Sequence, residues 1–343
     1  MTIPSERTTL ASAQTRMADA SSAPSDKARR TALEMIAPLG VPIMTLGMVV
    51  YFGFATTGFL SIGNITDVCA NSALPVIVAV GLTIPLVMGE FDLSISALAG
   101  LATVLYAQLV AKEGVDPAIA ILVTLAASLA AGAFNGFMIA YVGLPALVAT
   151  IAMSSFLVGM QFYVSGSVQI YGGFPETLVA FSRSNIGPVP TLVIVAAIIV
   201  LGAWVLLEKS VFGRQVKAVG GNAEAARLAG VDVRRTRALG FILCTFAASI
   251  AGILFANKQA VAYPLAGLDV LLPSFTAAFI GAATFRFGEF NIFGTVVGVL
   301  VTQIAANGLI LLGVPNYTTY VFQGVILLVA LIFARVVALR GTN

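Results

Sequence analysis

The chain contains no histidine, so it lacks the commonest proton shuttle and metal ligand. Its two cysteines, Cys69 and Cys244, sit in separate apolar runs and make neither a disulfide framework nor a metal site. Only 10% of its 343 residues are charged, against about 25% in a soluble domain. No Gly-x-x-x-x-Gly-Lys-Ser/Thr run occurs, so the chain is not itself a P-loop ATPase. No metal constellation and no paired carboxylates at mid-span are found, which argues against a membrane-embedded enzyme.

What is present is apolar: 59% of the residues are hydrophobic, in continuous runs. Runs of about 20 residues cross a hydrocarbon core of roughly 30 Å. They do not alternate as the strands of a membrane barrel do. The fold class is therefore all-α, a polytopic helical membrane protein. About ten spans are read, at 33–58, 70–88, 93–111, 118–141, 144–164, 189–207, 238–257, 270–286, 291–312 and 317–336. Residues 1–30 read as a disordered cytoplasmic tail rich in Ser, Thr and Ala, and 31–343 as one transmembrane domain.

Charge sets the orientation. Lys27, Arg29 and Arg30 abut the first span and put the N-terminus inside. Alternation then leaves 15 of the 18 Lys and Arg inside, with Lys112, Arg183 and Lys258 outside. Both termini are expected in the cytoplasm. The segment 208–237 holds seven of the basic residues. Burying them at mid-bilayer would cost about 2.5–3.5 kcal/mol each, so this segment lies outside the lipid on the cytoplasmic side. The loop 165–188 is the largest external segment. Gly89-Glu90-Phe91-Asp92 and Gly288-Glu289-Phe290-Asn291 echo one another at two span boundaries, a candidate internal repeat.

Inside the cytoplasmic segment, Asn222 is a good helix N-cap. Glu224 complements the positive end of the helix dipole. Ala223, Ala225, Ala226, Leu228 and Ala229 favour helix, and Gly230 suits a left-handed C-terminal position. The pattern predicts a helix of about two turns across the cytoplasmic face. Its small side chains allow close approach by a partner, and docking is preferred over a plain solvated connector.

The run Phe212-Gly213-Arg214, Ala218-Val219-Gly220-Gly221-Asn222 and Ala225-Ala226-Arg227-Leu228-Ala229-Gly230-Val231 resembles the cytoplasmic loop of permease subunits from ribose-type ATP-binding-cassette (ABC) sugar importers. Three more stretches are similar to the same family: Gly89-Glu90-Phe91-Asp92-Leu93-Ser94, Gly143 through Ile151, and Asn307 through Val314. Together they cover most of 70–335. The stretch Gly281 through Phe290 departs from the family's glycine pattern and marks a divergent branch.

The resemblance implies a type II-like importer architecture. A coupling helix carrying Asn222, Glu224, Ala225, Ala226, Arg227 and Gly230 would sit in an ATPase subunit. ATP and Mg would lie on that partner, with no cofactor in this chain. It further implies a periplasmic sugar-binding protein, a second permease copy as a homodimer, and a bacterial inner-membrane location, with no role for nucleic acid. The solute would be a monosaccharide or sugar alcohol. Permeases for branched-chain amino acids or nucleosides and a stand-alone secondary transporter are the alternatives.

A path for a neutral polyhydroxylated solute needs hydrogen-bonding groups without fixed charge. The candidates are Asn71, Thr83, Asn135, Thr150, Ser154, Gln161, Gln303 and Asn307. For any single one, hydrogen bonding between helices, about 0.6 kcal/mol on average, is the preferred reading. Glu90 and Asp92 either cap the third span or gate the path, and capping is preferred. A boundary ion pair is expected between Arg286 and Glu289, and Ala131-Gly132 with Gly136 marks close helix packing.

Overall fold

The computed structural model describes residues 26–285, 288–315 and 317–341. The expected tail through residue 25 and the Arg286 half of the boundary pair lie outside the described residues. Among the described residues, ten long or mid-length helices overlap the ten apolar runs. They are α1 (Asp26–Ala55), α2 (Ile62–Val87), α3 (Ile95–Ala107), α4 (Pro117–Phe137), α5 (Ala146–Ser165), α7 (Thr191–Trp204), α10 (Val233–Gln259), α11 (Leu268–Ala282), α12 (Ile292–Leu311) and α13 (Tyr317–Gly341). Helix α1 begins at Asp26, inside the segment expected to be a tail. By length and composition, seven helices among the described residues can cross a membrane; Gly40–Ala55, α11 and Tyr317–Val329 are shorter apolar helices. Helices α3, α4 and α7 each close with a π-helical turn, at Gln108–Lys112, Met138–Val142 and Val205–Lys209.

The connections carry elements that apolar periodicity does not announce. The pair β1 (Ile170–Tyr171) and β4 (Val261–Ala262) is antiparallel, as is β2 (Asn185–Ile186) with β3 (Val189–Pro190). Between them lies α6 (Glu176–Arg183). The basic segment folds as α8 (Val211–Gly221) and α9 (Ala223–Leu228).

Helix α2 is the centre of the bundle. Every residue from Ser72 to Leu86 is buried, as expected of a helix apolar on all sides. It packs against α7, α10, α11 and α12. Small residues set the closest approaches. Gly132 and Gly136 of α4 face Thr245 and Ala238 of α10 with no room for a side chain, the close packing expected of that pair. On α12, a Cβ at Gly298 would stand 2.0 Å from the Ala277 carbonyl of α11. Gly298→Ala is therefore expected to force α11 and α12 apart, costing about 1–3 kcal/mol and lowering the thermal unfolding temperature in detergent. Gly202→Ala, on an exposed stretch of α7 with nothing within 4 Å, is the control and should not lower it.

The sequence echo has a structural counterpart. Gly89 and Gly288 both take left-handed backbone, at φ +77° and +83°. Phe91 stacks on Phe275 and Phe279 at 6.2 and 6.4 Å, and Phe290 meets Phe279 edge-on at 5.2 Å. The two turns thus converge on one aromatic cluster at the same end of the bundle. Asn291 caps α12 by accepting from the Gly294 amide, whereas Asp92 accepts from the amide of Ser94, the residue just before α3.

Candidate functional site

The residues singled out from the sequence fall in two regions: the α8–α9 surface at one end, and the polar side chains within the bundle. Ser210 caps α8 by accepting from the Gly213 amide at 3.1 Å. Gly220 then seats against the end of α2, where a Cβ would be 1.9 Å from the Val87 carbonyl. Asn222 Oδ1 accepts from the amides of Glu224 and Ala225 at 3.0 and 2.9 Å. Gly230 takes φ +85° and the Val231 amide donates to the Ala226 carbonyl at 3.0 Å. Both ends of α9 are closed as the residue pattern predicts, although the helix runs six residues. Asp232 accepts from the Arg235 amide at 2.9 Å and starts α10.

Ala226 is buried and anchors α9, whereas Ala225, Ala229 and Leu228 face outward, Leu228 at 74% exposure. Arg227 Nε pairs with Glu224 at 3.0 Å on the same surface. The pair holds the Glu224 carboxyl below its usual range and raises Arg227, through their hydrogen bond first and their charges second. Arg237 pairs with Glu90 at 3.0 Å and Lys217 with Glu208 at 2.8 Å. The first of these pairs ties the root of α10 to the α2–α3 turn.

Asp92 is wholly buried beneath that turn. Its Oδ1 accepts from the Ser94 amide and from the Ser94 hydroxyl. Asn135 of α4 donates to the same hydroxyl at 2.8 Å, and the Cys244 thiol of α10 lies beside the carboxyl. The group is a polar knot joining α3, α4 and α10. Burial pushes the Asp92 carboxyl up from the usual carboxylate range, against the opposing pull of the Ser94 bonds. The N-cap of α3 is Ser94, whose side chain makes no capping bond, so Asp92 does not cap the helix as expected; it stands two residues earlier and holds Ser94 instead, while Glu90 is engaged by Arg237.

The expected path residues are placed as follows. Thr83 meets Thr295 at 2.8 Å between α2 and α12. Thr150 donates to the Phe91 carbonyl at 3.3 Å. Gln161 is fully buried, donating to the Ala97 carbonyl at 2.8 Å and accepting from the Leu265 amide at 2.7 Å. Asn307 and Asn64 exchange two amide hydrogen bonds of 2.9 Å. Asn71 is exposed and accepts from Lys258 at 2.8 Å. Ser154 and Gln303 are half-buried. The hydrogen-bonded ones among these side chains are thus engaged in separate contacts between different pairs of elements.

At the end opposite α9, three cross-links were not foreseen from the residue pattern. Arg183 Nε donates to the Lys258 carbonyl at 2.7 Å, and Lys258 Nζ donates to the Ala70 carbonyl at 3.1 Å as well as to Asn71. A shallow pocket lies beside them, lined by Gly173, Phe174, Glu176 and Arg183. Among the described residues no group of three His, Cys, Asp or Glu stands close enough to hold a metal.

The family model described as "Branched-chain amino acid transport system / permease component" matches residues 64–331. The chain is 31% identical over 293 residues to the ribose import permease protein RbsC of Escherichia coli strain K12, covering 84% of this chain and 91% of that one. It is 31% identical over 291 residues to the ribose import permease protein of Bacillus subtilis, covering 84% and 89%. It is 34% identical over 270 residues to the L-arabinose transport system permease protein of E. coli K12, covering 75% and 78%. No solved structure matches. With a match over most of the chain and apolar helices throughout, this is a multi-pass inner-membrane protein that belongs to the permease family of ABC importers.

Proposed function

We propose that the chain is the translocation subunit of an ATP-driven, binding-protein-dependent importer and forms the path for a monosaccharide or sugar alcohol. The capped helix α9 carries this reading, because it presents an exposed leucine and two alanines outside the apolar spans. Exposed apolar side chains grouped on one short helix and rimmed by the Glu224–Arg227 pair fit a protein-docking surface. The relatives named for ribose and arabinose support the sugar.

In this reading the α9 end is cytoplasmic. A separate ATPase holds ATP and Mg and grips α9, and a periplasmic binding protein delivers the sugar at the opposite end. A second copy of this chain completes the path. Motion of α9 has two short routes inward: through α8 to the end of α2, by way of Gly220 against Val87, and through the Asp232 cap into α10. Both helices are central, so a push on α9 reaches the core of the bundle. The Arg237–Glu90 pair and the Asp92 knot tie the same helices at that end.

The test is co-purification. A tagged chain drawn from membranes in mild detergent should bring a P-loop ATPase with it. Uptake of labelled ribose, allose or arabinose should stop on ATP depletion. A chain that emerges alone, with uptake that survives ATP depletion and fails with an ionophore, would replace this reading with a secondary transporter. Uptake of leucine and of none of the sugars would move the solute to the branched-chain amino acids.

A further inference from the structure

After α10 ends at Gln259, the chain pairs Val261–Ala262 with Ile170–Tyr171 and then turns back into the protein. The depth of that return is read from helix register. α10 and α3 run side by side, with Gly252 against Ala99, Ala102 and Thr103, and Asn257 accepting from the Tyr106 hydroxyl at 3.1 Å. Gly267 instead sits against Ser96 and Gly100, where a Cβ would stand 1.9 Å from the Ser96 carbonyl. Ser96 and Gly100 lie six to ten residues before Tyr106 along α3. At 1.5 Å per residue, the loop has descended about 9–15 Å below the outer end of α10 without helical structure. Helix α11 starts at that depth. This accounts for its 15 residues, about 22 Å, short of a full crossing.

Irregular backbone at such depth is tolerated where protein buries it or where it lines a water-filled cavity. One side of this loop is buried. Ala266 and Gly267 are enclosed, and fully buried Gln161 ties the Leu265 amide to the Ala97 carbonyl. The other side is open. Leu265 takes left-handed backbone at φ +71° and is 37% exposed, and Leu268 and Asp269 are exposed beside it. A carboxylate at this depth is costly against hydrocarbon, and such groups face water-filled cavities or partners. Tyr320 of α13 donates to Asp269 Oδ1 at 3.2 Å, and Tyr263 flanks the same carboxylate.

We propose that the re-entrant loop Tyr263–Asp269 lines the outer half of the solute path, with Asp269 accepting solute hydroxyls and the rings of Tyr263 and Tyr320 contacting its carbon faces. The ligand class rests on the sugar reading above; the position of the loop does not. Gln161 is then a positioning residue, holding the loop from behind while Asp269 faces the path. The path residues expected from the sequence are all uncharged; a carboxylate set between two amphipathic rings also fits a neutral polyol, which offers hydroxyl donors on its edges and C–H groups on its faces.

The experiment uses cells carrying the complete importer with Cys69→Ser, leaving only the buried Cys244. Leu265→Cys and the outward-facing control Leu122→Cys on α4 are exposed to a membrane-impermeant sulfonated thiol reagent from outside. Leu265→Cys is expected to react at least tenfold faster. In parallel, Asp269→Asn is expected to cut maximal uptake of labelled ribose, allose or arabinose at least tenfold at unchanged membrane abundance, with Asp269→Glu recovering most of it. Reaction of Leu265→Cys no faster than Leu122→Cys overturns the path-lining position. Rapid labelling with undiminished uptake by Asp269→Asn, or no recovery in Asp269→Glu, overturns the role of Asp269. Rapid labelling in a wild-type chain that takes up none of the three sugars supports the position and overturns the ligand class along with the sugar reading.

Discussion

Leu228→Glu is expected to abolish ATP-driven uptake, by 50-fold or more, while the chain still reaches the membrane in normal amount. Leu228 projects from α9 at 74% exposure and supports no interior packing. Surface substitutions of that kind usually change folding stability by no more than about 0.5 kcal/mol. The fold should therefore tolerate a carboxylate there. A docked ATPase should not, because the new charge would be desolvated in the interface without a partner. Interface centres of this type lose about 2–4 kcal/mol or more when disrupted, and a loss near 2.4 kcal/mol already corresponds to roughly 50-fold. Two measurements check the argument together: uptake of a labelled sugar in cells, and the amount of ATPase retained on the tagged chain. Normal uptake with normal ATPase retention would sink the coupling role of α9. The neighbouring Glu224–Arg227 pair lies on the same exposed face, and exposed pairs contribute little to stability. Its replacement by Ala–Ala should therefore have a smaller effect than Leu228→Glu.

The parts of this fold that are legible in the sequence are those decided locally. Asn222, Glu224 and Gly230 announce α9 because a cap, a first-turn acid and a left-handed terminus each depend on a few adjacent residues. The apolar runs announce the long helices for the same reason. Helices α6 and α8 escape notice because each carries a short amphipathic pattern inside a segment dominated by its charge or its glycines. The depth of the Tyr263–Asp269 loop is illegible, since it is set by where Gly267 meets Ser96 and by what Gln161 grips on two other segments. The polar span residues show the same limit. Thr83, Asn135 and Asn307 are conspicuous in apolar sequence, but their partners Thr295, Ser94 and Asn64 are fixed only by helix register. The repeated Gly-Glu-Phe motif is a middle case. Its glycines and acceptors are local, whereas the convergence of Phe91 and Phe290 on Phe279 is tertiary.

Asp92→Ala is expected to cost about 3–5 kcal/mol of stability, because it strips the acceptor from the Ser94 amide and hydroxyl and loosens Asn135 in a buried site. Asp92→Asn keeps an oxygen in place of Oδ1 and should cost less. The two variants also separate the carboxyl's charge from its shape. Burial raises the Asp92 carboxyl above its ordinary range, so the ionised form is the less favourable one in the fold. For such a group the folded state binds its proton more tightly than the unfolded chain does. Its contribution to stability is largest below the ordinary aspartate range and declines as pH rises through the raised value. The wild-type protein in detergent should therefore gain thermal stability as pH is lowered from neutrality toward the ordinary aspartate range, and Asp92→Asn should flatten that gain. Unfolding curves taken across that window for both proteins decide it. Superimposable pH profiles would mean that Asp92 stays ionised at little cost, with the Ser94 bonds outweighing burial. A flattened profile would mean that the buried carboxyl takes up its proton within that window, making the knot an uncharged tie between α3, α4 and α10 at the window's acidic end.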